Sequence, residues 1–167
     1  MRLEELSAIM RENGIVGAGG AGFPSYAKLN MKADTIILNC AECEPYITAD
    51  YRRMLEHPEE LVSGMRIVLR LFDNAKGIFG IEDNKPDCIE KLRELIKDEP
   101  RMEVKALKTK YPQGAERQLI YATTKRKLNS SMLPADVGCV VNNVDTIVAI
   151  YNAVVKRKPL MERIVTI

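Results

Sequence analysis

A loop rich in glycine, "GIVGAGGAGFPSYAKL" over residues 14–29, has residue types that can bind a phosphate. Five of its first nine residues are glycine, and Gly17, Gly19 and Gly22 fit the dinucleotide-binding spacing G-x-G-x-x-G. Glycine tolerates positive φ, and its missing Cβ lets backbone N–H groups approach an anion closely. The spacing alone is weak, because the three residues "GIV" that precede it are too short to predict a strand.

Two residues after the glycines strengthen the phosphate interpretation. Pro24 suits the first turn of a helix, whose N-terminus adds a partial positive charge. Lys28 lies one turn further along and can reach back to a phosphate. The alternative is a flexible glycine loop followed by a solvated lysine.

Polar side chains also follow an apolar segment, "TIILN" over residues 35–39, which predicts a buried strand. Asn39, Glu42 and Glu44 then lie at its carboxyl end, where ligands of parallel sheets bind. An asparagine offers a donor and an acceptor to sugar or ribityl hydroxyls. The glutamates can accept hydrogen bonds from hydroxyl or ring N–H groups; solvated loop charges are the alternative.

Two further strand ends carry similar residues. In "VNNVDT", Asn142 and Asn143 follow a predicted strand, although Asn143 can instead cap the next helix with help from Thr146. The segment "YPQGAERQL" places three more candidates between a strand and a helix: Tyr111, Gly114 and Glu116. If these strand ends meet in one crevice, a single nucleotide-like ligand accounts for them all.

The cysteines give weaker evidence of a functional site. Cys40 and Cys43 form C-x-x-C, but the pair follows a strand instead of opening a helix as a thioredoxin-like motif would. The only histidine, His57 in "EHPEE", has the context of a helix junction. We expect ordinary semi-buried thiols and no metal site.

The elements that must position these loops alternate along the chain. Apolar spacing predicts helices over residues 3–13, 59–72, 86–96, 114–124 and 144–155, with a further helix after Pro24. Strands are predicted over residues 35–39, 76–81, 102–107 and 137–142, with "RIVTI" at 163–167 as a possible fifth. This alternation predicts an α/β fold, a Rossmann-like three-layer α/β/α sandwich with a mostly parallel sheet.

Size and charge restrict the function classes. The 167 residues suit one domain, and a net charge of +2 with interspersed signs does not indicate a nucleic-acid partner. No apolar run approaches the ~20 residues of a membrane helix, and the acidic N-terminal segment is unlike a signal peptide. We therefore expect a cytoplasmic protein with no segment inserted in a membrane.

Several sequence blocks resemble the RnfC family, whose members are components of Rnf electron-transport complexes, and, more distantly, the flavin-bearing NADH-oxidising subunit of respiratory complex I. These blocks are "GAGGAGFP" with Lys28, "NCAECEP" followed by Asp50 and Arg52, "YPQGAE", "LPADVGCVVNNVDT" and "KPLMERIVTI". They occur in the family's order and span nearly the whole chain.

The resemblance implies a domain that binds FMN noncovalently, accepts hydride from NADH and passes electrons to iron–sulfur clusters. It implies that the glycine loop and Lys28 hold the flavin, that Phe23 stacks on the dinucleotide, and that Glu44 lies near both rings as the orienting catalytic residue. The cofactor-binding residues are then Gly17, Gly19, Gly20, Gly22, Phe23, Lys28, Asn39, Glu42, Glu44, Tyr111, Gly114, Glu116, Asn142, Asn143 and Thr146.

Some positions depart from that pattern. Ala41 and Ala115 stand where the complex I subunit has acidic residues, and the expected nicotinamide-side aromatic near Met31 is absent. Family members continue into a sandwich-like domain and an iron–sulfur domain, and this chain has no C-x-x-C-x-x-C run. We therefore expect residues 1–167 to be one FMN/NADH-binding domain of a longer chain that works with other subunits.

Two other functions stay open. The acidic residue missing at Ala41 and the absent nicotinamide-side aromatic near Met31 favour a noncatalytic docking module of an electron-transfer complex. The second alternative is a plain NAD-binding domain, because Glu42 lies about 20 residues beyond the glycines, where a ribose-binding acid is expected.

Overall fold

The centre of the molecule is one four-stranded sheet, seen in a computed structural model that describes residues 2–167. In chain order the strands are β1 (Thr35–Cys40), β2 (Lys76–Glu82), β3 (Met102–Leu107) and β4 (Cys139–Asn143). Their order in the sheet is β3-β2-β1-β4, and each neighbouring pair is parallel. The chain leaves β1 toward β2 on one side and returns to β4 on the other, so the carboxyl ends of β1 and β4 border a ligand crevice.

Helices connect these strands. The α-helices are α1 (Leu3–Glu12), α2 (Ala49–Glu56), α3 (Pro58–Leu69), α4 (Pro86–Leu95), α5 (Glu116–Thr124) and α6 (Val144–Val155). Short 3-10 helices cover Ser25–Asn30 and Pro134–Val137.

The buried side chains divide into two clusters because successive residues of a strand point to opposite faces. Ile36 and Leu38 of β1 belong to the larger cluster with α1, α3, α4 and α6. Ile37 belongs to the smaller cluster, where Leu119 and Ile120 of α5 cover the other face. Helices thus cover both faces, and the predicted three-layer α/β fold is confirmed.

Local sequence accounts for most helix ends. Gly14, in the left-handed region at φ +65°, follows the end of α1, as predicted for a residue that terminates a helix. Pro58 and Pro86 open α3 and α4, where their missing N–H costs nothing. His57 ends α2 and precedes α3, which confirms the predicted helix junction.

Two predictions need correction, and one helix was missed. The chain after Pro24 forms a 3-10 helix instead of an α-helix. The predicted fifth strand is wrong: residues 163–167 are exposed and irregular, and hydrogen bonds outside any sheet attach them. The missed helix, α2, has only eight residues and buries only Met54, so its short sequence offers few apolar positions from which to predict a helix.

Within residues 2–167, none of the helices combines the length and the apolar composition needed to cross a membrane.

Candidate functional site

The glycine loop is closed at its base and open along its middle. Val16 and Pro24 form an isolated antiparallel bridge, and the Gly17 N–H donates to the Phe23 carbonyl at 2.7 Å. Gly20 and Gly22 have φ of +109° and +62°, and a Cβ built on either would meet nothing within 4 Å. Across the described chain, the N–H groups of residues 19–22 donate to no acceptor. The loop therefore offers free backbone donors, as an anion-binding nest does.

This loop forms one wall of a cavity of about 320 Å³, here called the loop cavity. The carboxyl ends of β1 and β4 and the start of α5 form the rest. Most predicted site residues line it: Gly17, Gly19, Gly22, Phe23, Lys28, Asn39, Gly114, Glu116, Asn142, Asn143 and Thr146.

A second cavity of about 590 Å³ lies beside the first, and residues 163–166 border it, so it is called the tail cavity. The two cavities share Gly19, Asn39, Gly114 and Asn143. The remaining predicted residues line the tail cavity: Gly20, Glu42, Glu44 and Tyr111. The separate segments singled out in the sequence thus meet in one crevice.

Lys28 is the cation inside the loop cavity. Its Nζ donates to the Val141 carbonyl at 2.7 Å, in the middle of β4, and lies 5.6 Å from the centre of the Phe23 ring. Burial lowers the pKa of Lys28, and the nearby Glu116 carboxylate partly offsets this. Lys28 is therefore held within the cavity by the fold itself.

The two asparagine positions differ in what they already bind. Asn39 donates to the Gly114 carbonyl at 2.8 Å, while the Gly114 N–H donates to Cys43 Sγ at 3.2 Å, which fixes the loop before α5. Asn142 is only 5% exposed, yet its amide makes no hydrogen bond to the rest of residues 2–167. Its amide atoms are not among the fully buried unpaired ones, so they reach the loop cavity and present donors and an acceptor to it.

At the end of β4, the capping interpretation is confirmed for Asn143 but not for Thr146. Asn143 Oδ1 accepts from the Asp145 N–H at 2.9 Å and caps α6. Thr146 Oγ1 accepts from the Ala18 N–H at 2.9 Å, which ties the glycine loop to α6 instead of capping it. Both residues hold the crevice together.

The acidic loop holds one carboxylate that is already used and one that was not predicted. Glu42 accepts from the N–H groups of Asp50 and Tyr51 at 2.7 and 2.9 Å, so it caps α2. Asp50 lies in the tail cavity and accepts from Asn143 Nδ2 at 2.7 Å. Burial, then the charge of Glu42, raises the pKa of Asp50 to about 7, and burial also raises that of Glu42.

Three predicted residues lie at the rim of the crevice. Phe23 and Tyr111 are 43% and 67% exposed, and Glu44 is exposed too. Within residues 2–167 the Glu44 carboxylate makes no hydrogen bond or ion pair. These side chains are accessible to a ligand that enters from solvent.

Sequence reasoning missed Asp50, Cys43 and Arg163 as members of the crevice. The signal for Asp50 was its place within the quoted block, at the start of an unrecognised helix. Arg163 donates from Nη2 to the Ala18 carbonyl at 2.9 Å. The two residues are 145 positions apart in the chain, so no local sequence pattern predicts this contact.

The cysteines are free thiols. Cys40 is buried at the end of β1, and burial raises its pKa well above the ordinary value. Among residues 2–167, no three His, Cys, Asp or Glu side chains are grouped as a metal ion would need.

Comparison with known proteins gives a consistent picture. Residues 10–152 match the family described as the Nuo51 FMN-binding domain. The C subunit of a proton-translocating ferredoxin:NAD(+) oxidoreductase complex from Clostridium ljungdahlii is 48% identical over 100% of this chain and 37% of the relative. The C subunit of the Na(+)-translocating complex from Acetobacterium woodii is 44% identical over 99% of this chain and 38% of the relative. The chain thus spans under two fifths of these relatives.

Solved structures agree in fold. An NAD+-reducing NiFe-hydrogenase in its H2-reduced state superimposes with a TM-score of 0.78 at 26% identity, over 91% of this chain and 30% of the hydrogenase chain. The air-oxidised state gives a TM-score of 0.77 at 28% identity with the same coverage.

Proposed function

The chain belongs to the family of Nuo51 FMN-binding domains, and from this premise we propose that it binds FMN in the crevice and takes part in NAD-linked electron transfer. The observation that carries the proposal is the glycine loop with free N–H groups facing a cavity that also contains Lys28 and the unpaired amide of Asn142.

The residues present suit the phosphate and hydroxyl groups of FMN. Backbone donors of residues 19–22 and the Lys28 ammonium supply the hydrogen bonds and charge that a phosphate dianion needs. Asn142 provides a donor and an acceptor for a polyol chain. The space beside Gly20 and Gly22 is open, and without a side chain at these positions a phosphate can approach the backbone N–H groups.

The tail cavity suits the ring system and a second nucleotide. Bound flavin would supply the chemistry, accepting hydride from NADH and releasing electrons one at a time. Phe23 would offer an aromatic face to the dinucleotide, and Glu44 would orient the nicotinamide by accepting a hydrogen bond. Asp50 would hold a proton near neutral pH beside Asn143. Iron–sulfur clusters in further segments or partner subunits would take the electrons onward.

A plain NAD-binding domain is less well supported. Its ribose-binding acid would be Glu42, but both Glu42 carboxylate oxygens already cap α2. The glycine loop follows helix α1 instead of a strand, whereas the dinucleotide fingerprint requires a strand before it.

The docking-module alternative rests on the departures from the family pattern. Ala41 is fully buried and lines neither cavity. The lack of an acidic residue at this position therefore does not alter the walls of the crevice. This observation favours a cofactor-binding domain over a module that has lost its cofactor.

Titration of the purified chain with FMN, followed by flavin fluorescence, tests the proposal. We expect saturable binding, and then bleaching of the flavin absorbance when NADH is added without oxygen. A titration without saturation would reject FMN binding and support the docking module. Binding without bleaching would retain the FMN site and remove the NADH step.

A further inference from the structure

The cations of this chain are concentrated in one segment. Residues 105–127 contain seven lysines and arginines but a single acidic residue, Glu116, whereas the whole chain is nearly balanced at 25 basic and 23 acidic residues. Two of the seven are paired: Arg126 with Asp34, and Lys105 with Glu103. The other five are exposed and form no ion pair within residues 2–167: Lys108, Lys110, Arg117, Lys125 and Lys127.

Three of these cations surround an open groove of about 560 Å³, here called the basic groove. Lys110 comes from the loop after β3, Arg117 from α5 and Lys127 from the loop after α5. The Arg117 guanidinium is held in place, because Nη2 donates to the Ser130 carbonyl at 2.9 Å.

The floor of the basic groove is apolar and aromatic. Tyr121 is 47% exposed there, beside the half-buried Ala122 and Leu128. An apolar floor with a charged rim is the usual anatomy of a protein–protein interface, and Tyr and Arg are the residues that most often dominate binding energy there.

We infer that the basic groove docks a partner protein that presents acidic side chains around an apolar one. Unpaired like charges repel one another, and a complementary acidic surface removes that repulsion while steering the encounter. A nucleic acid fits less well, since three phosphate contacts give weak binding and the apolar floor would be unused.

The basic groove lies close to the crevice without sharing its residues. Lys110 precedes Tyr111, which lines the tail cavity, while the groove and the two cavities have no residue in common. A partner seated on the groove would therefore lie beside the cofactor site, and its docking does not depend on FMN being bound.

Fluorescence anisotropy with a labelled synthetic peptide of glutamate and leucine tests the inference. We expect saturable binding to the wild-type chain, and binding weaker by about tenfold or more for the triple variant Lys110→Glu, Arg117→Glu, Lys127→Glu. The matched control is Lys32→Glu, Lys76→Glu, Arg93→Glu, which changes net charge equally at exposed sites elsewhere and should bind as the wild type does.

Further variants and ligands distinguish an acidic protein partner from nonspecific charge attraction. Tyr121→Ala should weaken peptide binding without a change in charge. Equal losses in the two triple variants, no saturable binding of the peptide, or tighter binding of a single-stranded oligonucleotide or of anionic phospholipid vesicles would each overturn the inference. The FMN titration is run on the same variants and should be unchanged, so that failure of the two proposals can be told apart.

Discussion

Lys28 is a cation kept half-buried in the loop cavity, and among residues 2–167 it has a carbonyl and no carboxylate within hydrogen-bond distance. We predict that Lys28→Ala weakens FMN binding by about tenfold or more, because a charge-assisted hydrogen bond to phosphate contributes about 1.5–3 kcal/mol. Titration of FMN with the variant measures this. Lys32→Ala, at an exposed site outside both cavities, is the control. An unchanged dissociation constant for Lys28→Ala would remove its phosphate role.

Asp50 makes the stability of the chain depend on pH. Its pKa is raised from 3.8 to about 7 in the folded state, by burial first and by Glu42 second. As the pH rises between these values, the unfolded chain loses this proton and the folded chain keeps it, so the free energy of unfolding falls.

We predict that Asp50→Asn removes this dependence while keeping an acceptor for Asn143. The stability of the variant relative to the wild type should rise by about 3 kcal/mol from pH 3.8 to 7. Urea unfolding across this range is the measurement, and the exposed Asp73→Asn is the control. Parallel pH profiles for the wild type and Asp50→Asn would contradict the expectation.

Individual side chains show where sequence reasoning stops. Residue type and position at a strand end were enough to bring Asn39, Asn142 and Glu44 to one crevice. They did not show which of these side chains already form hydrogen bonds within the fold. Glu42 was expected to face a ligand, but it caps α2, and α2 was absent from the predicted elements.

Helices α3 and α6 are in close contact at a glycine. A Cβ on Gly64 would lie 2.5 Å from the Ile147 carbonyl oxygen and 2.6 Å from Ile147 Cγ2. We predict that Gly64→Ala lowers the free energy of unfolding by about 3 kcal/mol, because this overlap outweighs the higher helix propensity of alanine. Urea unfolding checks this. Ser63→Ala in the same helix should be near neutral, and a stabilised Gly64→Ala would show that the helices move apart easily.

The elements that were predicted correctly have a long apolar pattern, as α6 does, or a continuous apolar run, as β1 does. Helix α2 was missed because it is only eight residues long, buries Met54 alone and has charged side chains at four of its eight positions. The segment "RIVTI" is the opposite case, because a strand was predicted there and none is formed. Its β-branched residues favour a strand, but a strand also needs a pairing edge, and this segment crosses Ala18 and Thr48 instead of lying beside β3 or β4.

One buried ion pair connects three strand ends across the molecule. Lys85 donates to the Ala41 carbonyl after β1 at 2.7 Å, and its Nζ lies 3.6 Å from Glu82 Oε2 at the end of β2. The other Glu82 oxygen accepts from the Lys110 N–H after β3 at 3.1 Å. Glu82 and Lys85 are only 1% and 7% exposed, so neither charge has water as a substitute partner.

We predict that Lys85→Met destabilises the fold by about 3–5 kcal/mol, because it leaves the Glu82 carboxylate buried without its countercharge. The double variant Glu82→Gln, Lys85→Met should lose less than the single Lys85→Met, since both charges are then gone. A double-mutant cycle by urea unfolding measures the coupling. Purely additive losses would mean that the two charges do not interact.

The attachment of Ala18 also sets an order of events during synthesis. Its N–H is held by Thr146 and its carbonyl by Arg163, residues 128 and 145 positions later in the chain. Because translation delivers the amino terminus first, the glycine loop leaves the ribosome long before its two anchors exist. The glycine loop can take its final shape only once Thr146 and Arg163 have both been made, so under the proposed function FMN binding follows the synthesis of these two anchors.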